Sequence, residues 1–284
     1  MIALEVKDLN KNYKNFHLKD VSFQLKKGYI MGFIGANGAG KTTTIKSILN
    51  LIHIDSGEVY ILDKNFIENE LELKQELGSA FGEIDYYSRS KIKNITNVIK
   101  KFYKNWDDET YFNYLKRFKL DENKKIVELS TGMKVKYNLT IALSHGAKLL
   151  IFDEPTSGLD PVARDNLLDV FQELVTDGEI SILFSTHITS DLEKCADYIT
   201  YIHNGQIVNS LEKEEFINTY RLLHGGESQL DKVKDQLISY QINSFGFTGL
   251  IHSKDLDPSL DIKSTKPNLE EIMIYFSKEE DMYV

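Results

Sequence analysis

Cysteine is almost missing from this 284-residue chain. The one present, Cys195, has no second thiol to pair with, which excludes an intramolecular disulfide and fits a reducing compartment. Long apolar runs are missing too. The strongest, "YIMGFIGA", "AKLLIF" and "ISILF", are strand-length and fall well short of the roughly 20 residues a membrane-spanning helix needs. Any membrane role is therefore expected to run through a partner. The opening "MIALEVKDLNKNYK" has no basic region followed by an apolar core and a small-residue cleavage site, so export is not expected. Positive charge is outnumbered: 34 Lys and Arg stand against 43 Asp and Glu, a net charge of -9. That balance argues against a surface built for nucleic-acid phosphates, and no nucleic-acid partner is expected. Internal repeats and low-complexity tracts are also absent. What is there is ordinary globular material, 42% hydrophobic and 27% charged, long enough for one large domain with a small appendage.

"MIALEVKDL" and "HLKDVSFQLKKGYIMGFIGA" alternate and then turn continuously apolar, as an edge sheet leading into a buried parallel strand would. Glycines break the pattern, and "KTTTIKSILNLI" then carries Ile45, Ile48, Leu49 and Ile52 at helical spacing. Residues 83–147 are helical in pattern. Within them "NWDDETYFNYLKRFKL" offers Asp107 as a cap, Trp106 and Tyr111 as a hydrophobic staple across it, and Tyr111, Leu115 and Phe118 along one face. "KLLIFDE" and "EISILFSTH" read as two more buried strands separated by the helical "PVARDNLLDVFQELVTDG". This order predicts a parallel α/β sheet interrupted by a helical insertion. From residue 213 the character changes: "RLLHGGESQ" reads as a linker, "DQLISYQINSFGFTGLI" as short strands, and "KPNLEEIMIYF" as a helix with Asn268 and Glu271 as a capping-box-like pair. The expected division is a domain at 1–212 and a small α+β accessory subdomain at 213–284.

The stretch "GANGAGKT" matches G-x-x-x-x-G-K-[ST] at Gly35, Gly40, Lys41 and Thr42. Glycine backbones turn tightly and present N–H groups to a polyphosphate, Lys41 supplies a point charge near the outer phosphates, and the Thr42 hydroxyl can ligate Mg²⁺. At average composition a chance match in such a chain has a probability on the order of 1%, and a strand before it and a helix after it lower that further. Asn37, Gly38, Ala39 and Thr43 complete the candidate cradle for a nucleoside triphosphate with Mg²⁺. "LLIFDE" places Asp153 and Glu154 at the carboxyl end of a buried strand, where ligands sit in open α/β sheets. Alone, two such acids are a solvated strand end. Beside a phosphate loop, Asp153 is suited to the Mg²⁺ shell and Glu154 to polarising a water that attacks the γ-phosphate. His187, after the next apolar strand, is either a donor to that phosphate or a strand-end histidine without a role. "ELSTGMK" is a further question. Its hydroxyl and glycine make a good N-cap, yet they leave free N–H groups and a positive dipole end where an anion would sit.

In this order the phosphate loop, "LSTGM", "LLIFDEPTSGLDP" and "STH" resemble the nucleotide-binding subunits of ABC (ATP-binding cassette) transporters over roughly residues 3–210. The resemblance implies the P-loop NTPase fold of ABC ATPases, with an edge antiparallel β-subdomain and a helical insertion, and ATP and Mg²⁺ as cofactors. It implies that Tyr13 stacks on adenine and that Ser157 to Asp160 form a loop crossing to a second subunit. It also makes "LSTGM" the family signature, whose Ser130, Thr131, Gly132 and Met133 cap the γ-phosphate of ATP held by the other subunit of a head-to-tail dimer, homo- or heterodimeric. The further partner implied is a separate transmembrane permease, with the chain peripheral on the cytoplasmic side of the cell membrane. Two departures stand out. Thr131 replaces the usual glycine and Met133 the usual glutamine of the signature. The family's sensing glutamine, expected within "GSAFGEIDYY", is absent: Gly82 takes its place, and Glu83 after it is either a metal-facing substitute or a structural glutamate. With its "FGE" variant, its insertion and its tail, the chain is most similar to exporter ATPases of Gram-positive bacteria, including those for cytolytic phenol-soluble-modulin peptides. Antimicrobial-peptide or drug efflux is the alternative within the class. A soluble mechanical ATPase of the same fold typically carries a coiled-coil split or two cassettes, and this chain has neither. A GTPase lacks support for want of [NT]-K-x-D.

Overall fold

The alternating start of the chain folds back on itself. In this computed structural model, which describes residues 1–81, 87–257 and 259–278, β1 (Ile2–Tyr13) and β2 (Phe16–Lys26) pair antiparallel. Leu4, Val6, Val21, Phe23 and Leu25 point inward while Lys7, Ser22, Gln24 and Lys26 face solvent, the period-two pattern of a half-buried sheet. β4 (Ser56–Ile61) and β5 (Lys64–Asn65) complete this sheet in the order β2-β1-β4-β5.

The continuously apolar segments form the second sheet. Its members are β3 (Ile30–Ile34), β6 (Leu77–Phe81), β7 (Leu149–Asp153), β8 (Ser181–Thr186), β9 (Tyr198–His203) and β10 (Gln206–Glu212), ordered β10-β9-β3-β8-β7-β6. The pairs from β9 through β6 are parallel, and strands buried on both faces have no polar side to alternate with. Ile34 lies opposite Thr186, and Asp153 opposite Ser185. The carboxyl ends of β3, β8 and β7 therefore share one edge of the sheet.

Helices α1 (Lys41–Ile48), α6 (Pro161–Leu174) and α7 (Thr189–Cys195) follow β3, β7 and β8, and a single turn, α2 (Glu70–Leu73), precedes β6. Phe171 of α6 packs between Phe152 and Phe184, with ring centroids 5.3 and 5.8 Å away; such aromatic pairs add about 0.5–1.5 kcal/mol each beyond burial. α1 is shorter than its apolar spacing predicts. It ends at Ile48 because Asn50 turns left-handed (φ 54), so Ile52 falls outside the helix.

Between β6 and β7 lie α3 (Ile92–Ile99), α4 (Asp108–Arg117) and α5 (Thr131–Ser144). Asp107 caps α4 by accepting from the N–H groups of Glu109 and Thr110, and Trp106 meets Tyr111 across the cap at 5.6 Å. The Thr96 hydroxyl contacts Tyr111 Oη at 3.1 Å and Tyr137 Oη at 2.8 Å, a buried polar knot between the three helices. Gly82 and the candidate metal ligand Glu83 lie outside the described residues.

The chain divides into two compact units, Met1–Val208 and Asn209–Val284, within β10 rather than after residue 212. The second unit contains α8 (Lys213–Asn218), β11 (Tyr220–Gly225), α9 (Glu227–Leu230), β12 (Leu237–Asn243), β13 (Gly246–His252), β14 (Lys263–Thr265) and α10 (Leu269–Lys278), with a sheet ordered β12-β13-β11-β14. "RLLHGGESQ" is not the expected linker. Its first half is the interior strand β11, with Leu222 and Leu223 buried and His224 Nε2 2.9 Å from Thr265 Oγ1; the Gly225–Gly226 pair that suggests a linker only ends the strand. Asn268 and Glu271 exchange side-chain-to-backbone hydrogen bonds at 2.8 Å ahead of α10, a reciprocal cap.

Candidate nucleotide and hydrolysis site

The loop from β3 to α1 is shaped by two glycines for different reasons. A Cβ on Gly35 would collide with the backbone oxygen of Ile202, so the loop runs against β9 only with glycine there. Gly40 caps α1 at φ 113, a backbone conformation that side-chain-bearing residues avoid. Between them the loop wraps Lys41, which is 5% exposed although a lysine is among the costliest residues to bury. Its ammonium donates to Gly35 O at 2.9 Å and Ala36 O at 3.2 Å and lies 3.5 Å from Glu154 Oε1. Three donors fixed in a glycine loop at a helix N-terminus form a cationic cradle suited to phosphate oxygens.

The carboxyl ends of the neighbouring strands complete the site. Thr42 Oγ1 donates to Asp153 Oδ2 at 2.7 Å, and Ser185 Oγ donates to Asp153 Oδ1 at 2.6 Å. The Glu154 N–H donates to that same Ser185 Oγ at 2.9 Å. Glu154 sits at φ 49, left-handed for a residue with a side chain, where sparsely populated backbone is often tied to function. Its Oε2 lies 3.1 Å from His187 Nδ1. Lys41, Glu154 and His187 thus form one chain of polar contacts beside the Thr42–Asp153 pair. The hydroxyl and the carboxylate are hard oxygen donors on adjacent elements and fit Mg²⁺, which takes few protein ligands when a nucleotide supplies the rest.

Asn37, Gly38, Gly40, Lys41, Thr42 and Thr43 line a cavity of about 500 Å³ together with Glu154 and Phe16. Ala39 is buried beneath the loop, and its carbonyl accepts from Gly205 N at 3.0 Å. Tyr13 stands apart from this lining, 44% exposed at the end of β1 with Lys11 Nζ 5.3 Å from its ring centroid. Across the hairpin from it, Phe16 is the aromatic residue that borders Gly40.

Ser130 caps α5, its hydroxyl accepting from the Met133 N–H at 3.3 Å. Gly132 packs toward Leu159, and Thr131 lines a second cavity of about 490 Å³ with Thr42, Asp153, Glu154 and Ser157. Asp160 caps α6, its Oδ1 accepting from Val162 N and Ala163 N at 3.0 Å. Ser185 was not singled out by sequence reasoning. Its place in "FSTH" gives it no signal of its own, and only the β7–β8 register puts its hydroxyl between Asp153 and Glu154.

Comparison with known proteins points to one family. The profile of the ABC transporter family matches residues 18–157. The ABC transporter ATP-binding protein YtrB of Bacillus subtilis is 30% identical over 95% of this chain and 97% of its own length. The bacitracin transport ATP-binding protein BcrA of Bacillus licheniformis is 35% identical over 73% of this chain and 69% of its own. A solved ATP-binding subunit of an ABC transporter superposes with a TM-score of 0.66 at 29% identity, covering 75% of this chain and 91% of its own. The chain belongs to the ABC transporter family, as one of its ATP-binding subunits.

Proposed function

We propose that this chain hydrolyses ATP in the Lys41–Glu154–His187 site to drive a separate transmembrane permease, and that the cargo is an amphipathic or cytolytic peptide leaving the cell. The observation that carries the hydrolytic reading is the contact chain from the phosphate loop through Glu154 to His187 beside the Thr42–Asp153 pair. Lys41 and the loop N–H groups bind and orient the phosphates. Bound Mg²⁺ would be held by Thr42 and Asp153 and would neutralise charge on the phosphate oxygens. Glu154 takes a proton from the attacking water. Once protonated, its O–H can donate to His187 Nδ1, which leaves the Nε2–H of that ring to donate to a phosphate oxygen.

Two subunits closing head to tail on two ATP molecules would bring the start of α5 from one chain to the phosphates of the other. Asp160 and its neighbours would then cross between chains, and Tyr13 would receive the adenine ring. A second reading rests on one observation: Thr131 shares a cavity with Thr42 and Glu154 of its own chain, which suits a helix start that serves its own nucleotide. Support for a peptide cargo comes from relatives whose names assign them to bacitracin and lantibiotic transport. Drug efflux is the alternative cargo. With a membrane permease as partner, the subunit would work at the cytoplasmic side of the membrane.

The test pairs two measurements. ATP turnover by the purified chain should require Mg²⁺, and cells carrying the wild-type gene should survive amphipathic helical peptides better than cells carrying Glu154→Gln. Turnover without any such protection would leave the ATPase and remove the peptide cargo.

A further inference from the structure

Asp191 is a carboxylate buried to 1% exposure on α7, four residues after His187. Its Oδ2 accepts from Thr156 Oγ1 at 2.6 Å and lies 3.4 Å from Thr186 Oγ1. Arg164 Nε stands 3.4 Å from Oδ1, which among the described residues has no hydrogen-bond partner. The positions of these contacts matter more than their number. Thr156 comes two residues after Glu154, and Thr186 comes immediately before His187. The hydroxyl of Thr186 also accepts from Ile188 N at 3.0 Å, and Asp191 N donates to Ile188 O at 3.2 Å. Asp191 therefore ties the turn that leaves Glu154 to both neighbours of His187, to Thr186 through its carboxylate and to Ile188 through its backbone N–H, and, through Arg164, to the first turn of the helix that Asp160 caps.

Stability alone does not account for such a group. Replacing a buried ion pair by well-packed apolar residues is often neutral or stabilising, because desolvation offsets the attraction. What a buried, directional acceptor adds is a fixed geometry between the segments that donate to it. We propose that Asp191 is a positioning residue for hydrolysis: it locks the backbone turns bearing Glu154 and His187 together, so that these two side chains keep their contact while ATP turns over. The inference rests on the ATPase reading above. Misplacing reacting groups by about 1 Å costs on the order of 10²-fold in rate, whereas the phosphate cradle, built on α1, does not depend on Thr156 or Asp191.

The experiment uses the full chain with ATP and Mg²⁺, measuring steady-state hydrolysis, ATP titration and thermal unfolding side by side. Thr156→Val keeps the volume and leaves the Asp191–Arg164 pair in place while removing the tether. It is expected to lower kcat about 10- to 100-fold with ATP affinity unchanged, and Thr156→Ser is expected to restore the rate. Asp191→Leu removes the acceptor of that hydrogen bond and should lower kcat as well, and the double variant should be no slower than the slower single, since both changes cut one connection. If Asp191→Leu does not fold, Thr156→Val carries the test. Folded Thr156→Val with wild-type kcat overturns the inference, as does a loss of ATP affinity equal to the loss of rate. A wild-type chain without ATPase activity overturns the functional reading and this inference with it, whereas an active wild type with an unimpaired Thr156→Val overturns the inference alone.

Discussion

Two helices in this molecule begin with hydroxyls and glycine, and they begin very differently. α1 opens inside its own fold: Gly40 has no capping side chain, Lys41 is buried among loop carbonyls, and Thr42 is bonded to Asp153. α5 opens at the surface. Ser130 and Thr131 are exposed, and the Ser130 hydroxyl supplies the cap that α1 lacks. The first four N–H groups of any helix have no intrahelical partner, so both starts attract anions, but α1 has its cation and acids bonded to it, Lys41 to Glu154 and Thr42 to Asp153, whereas the start of α5 faces Asp153 and Glu154 only across a cavity. On the proposed reading, the contrast teaches that an anion-binding terminus becomes a hydrolytic site through what surrounds it: Ser130–Met133 would supply donors, and Lys41, Asp153, Glu154 and His187 the chemistry.

The sharpest way to break that contrast is to disarm the α1 side without touching either helix. Glu154→Gln keeps the shape and the contact to Lys41 but cannot take a proton, so kcat should fall about 10²–10⁴-fold while ATP titration gives an unchanged affinity. Hydrolysis near the wild-type rate would remove Glu154 from the role of base. Next in size is the α5 side. Gly132→Asp places a negative charge where the proposed dimer would bring a phosphate, keeping that phosphate from the helix N–H donors, and losing such donors to a developing charge typically costs about 10²–10³-fold. Binding of ATP to the monomer should survive. Mixing Gly132→Asp with Lys41→Ala then separates the two readings of α5. If the site is shared between chains, one site of a mixed dimer takes both lesions and the other takes none, so activity should reappear. Should Gly132→Asp instead abolish ATP binding by the monomer, the cavity that Thr131 shares with Glu154 is the site it serves. Smaller again is Lys41→Ala by itself, which removes a charged donor worth about 1.5–3 kcal/mol and should weaken ATP binding about 10- to 100-fold. Unchanged affinity would place the nucleotide elsewhere.

How much of this could be read in advance follows the range of the interactions. The strand-loop-helix unit around Lys41, the Asp107 cap and the Asn268–Glu271 pair are local, so residues a few positions apart announce them. The parallel strands were legible because burial on both faces leaves no polar alternation. β11 was hidden by Gly225 and Gly226, whose turn chemistry outweighs the short apolar run before them unless its partners β13 and β14 are known. Ser185 and Asp191 were hidden for a different reason: each acts across 30 or more residues, on Asp153 and Thr156 respectively, and nothing in their own neighbourhood marks them. The preference for Phe16 over Tyr13 beside Gly40 likewise depends on how the β1–β2 hairpin turns, which alternation alone does not fix.

The last and smallest effect sharpens the contrast from the other end of α5. Where its start is exposed, its C-cap His145 is 2% exposed, stacked on Tyr103 at 3.8 Å with Nδ1 3.0 Å from Gln75 O. Burial pushes the imidazole below the ordinary histidine range, outweighing the bond to Gln75. The ring is thus held neutral in the native state, with Nδ1–H donating to the carbonyl. A depressed native value means that the unfolded chain binds the proton more readily. This group's contribution to stability is therefore complete above about pH 6.5, the ordinary histidine value, and is lost progressively as pH falls toward the native value. His145→Phe keeps a ring against Tyr103, cannot titrate, and leaves the Gln75 carbonyl without its donor, at a cost of about 1–3 kcal/mol at neutral pH. Measured by denaturant unfolding, the gap between wild type and His145→Phe should narrow from pH 7.5 to pH 5.5, because only the wild type loses this contribution. ATP affinity at pH 7.5 should stay the same in both, since the substitution lies at the buried end of the helix and not at its open start. A stability gap that holds constant across that range would mean that His145 does not resist protonation in the native state.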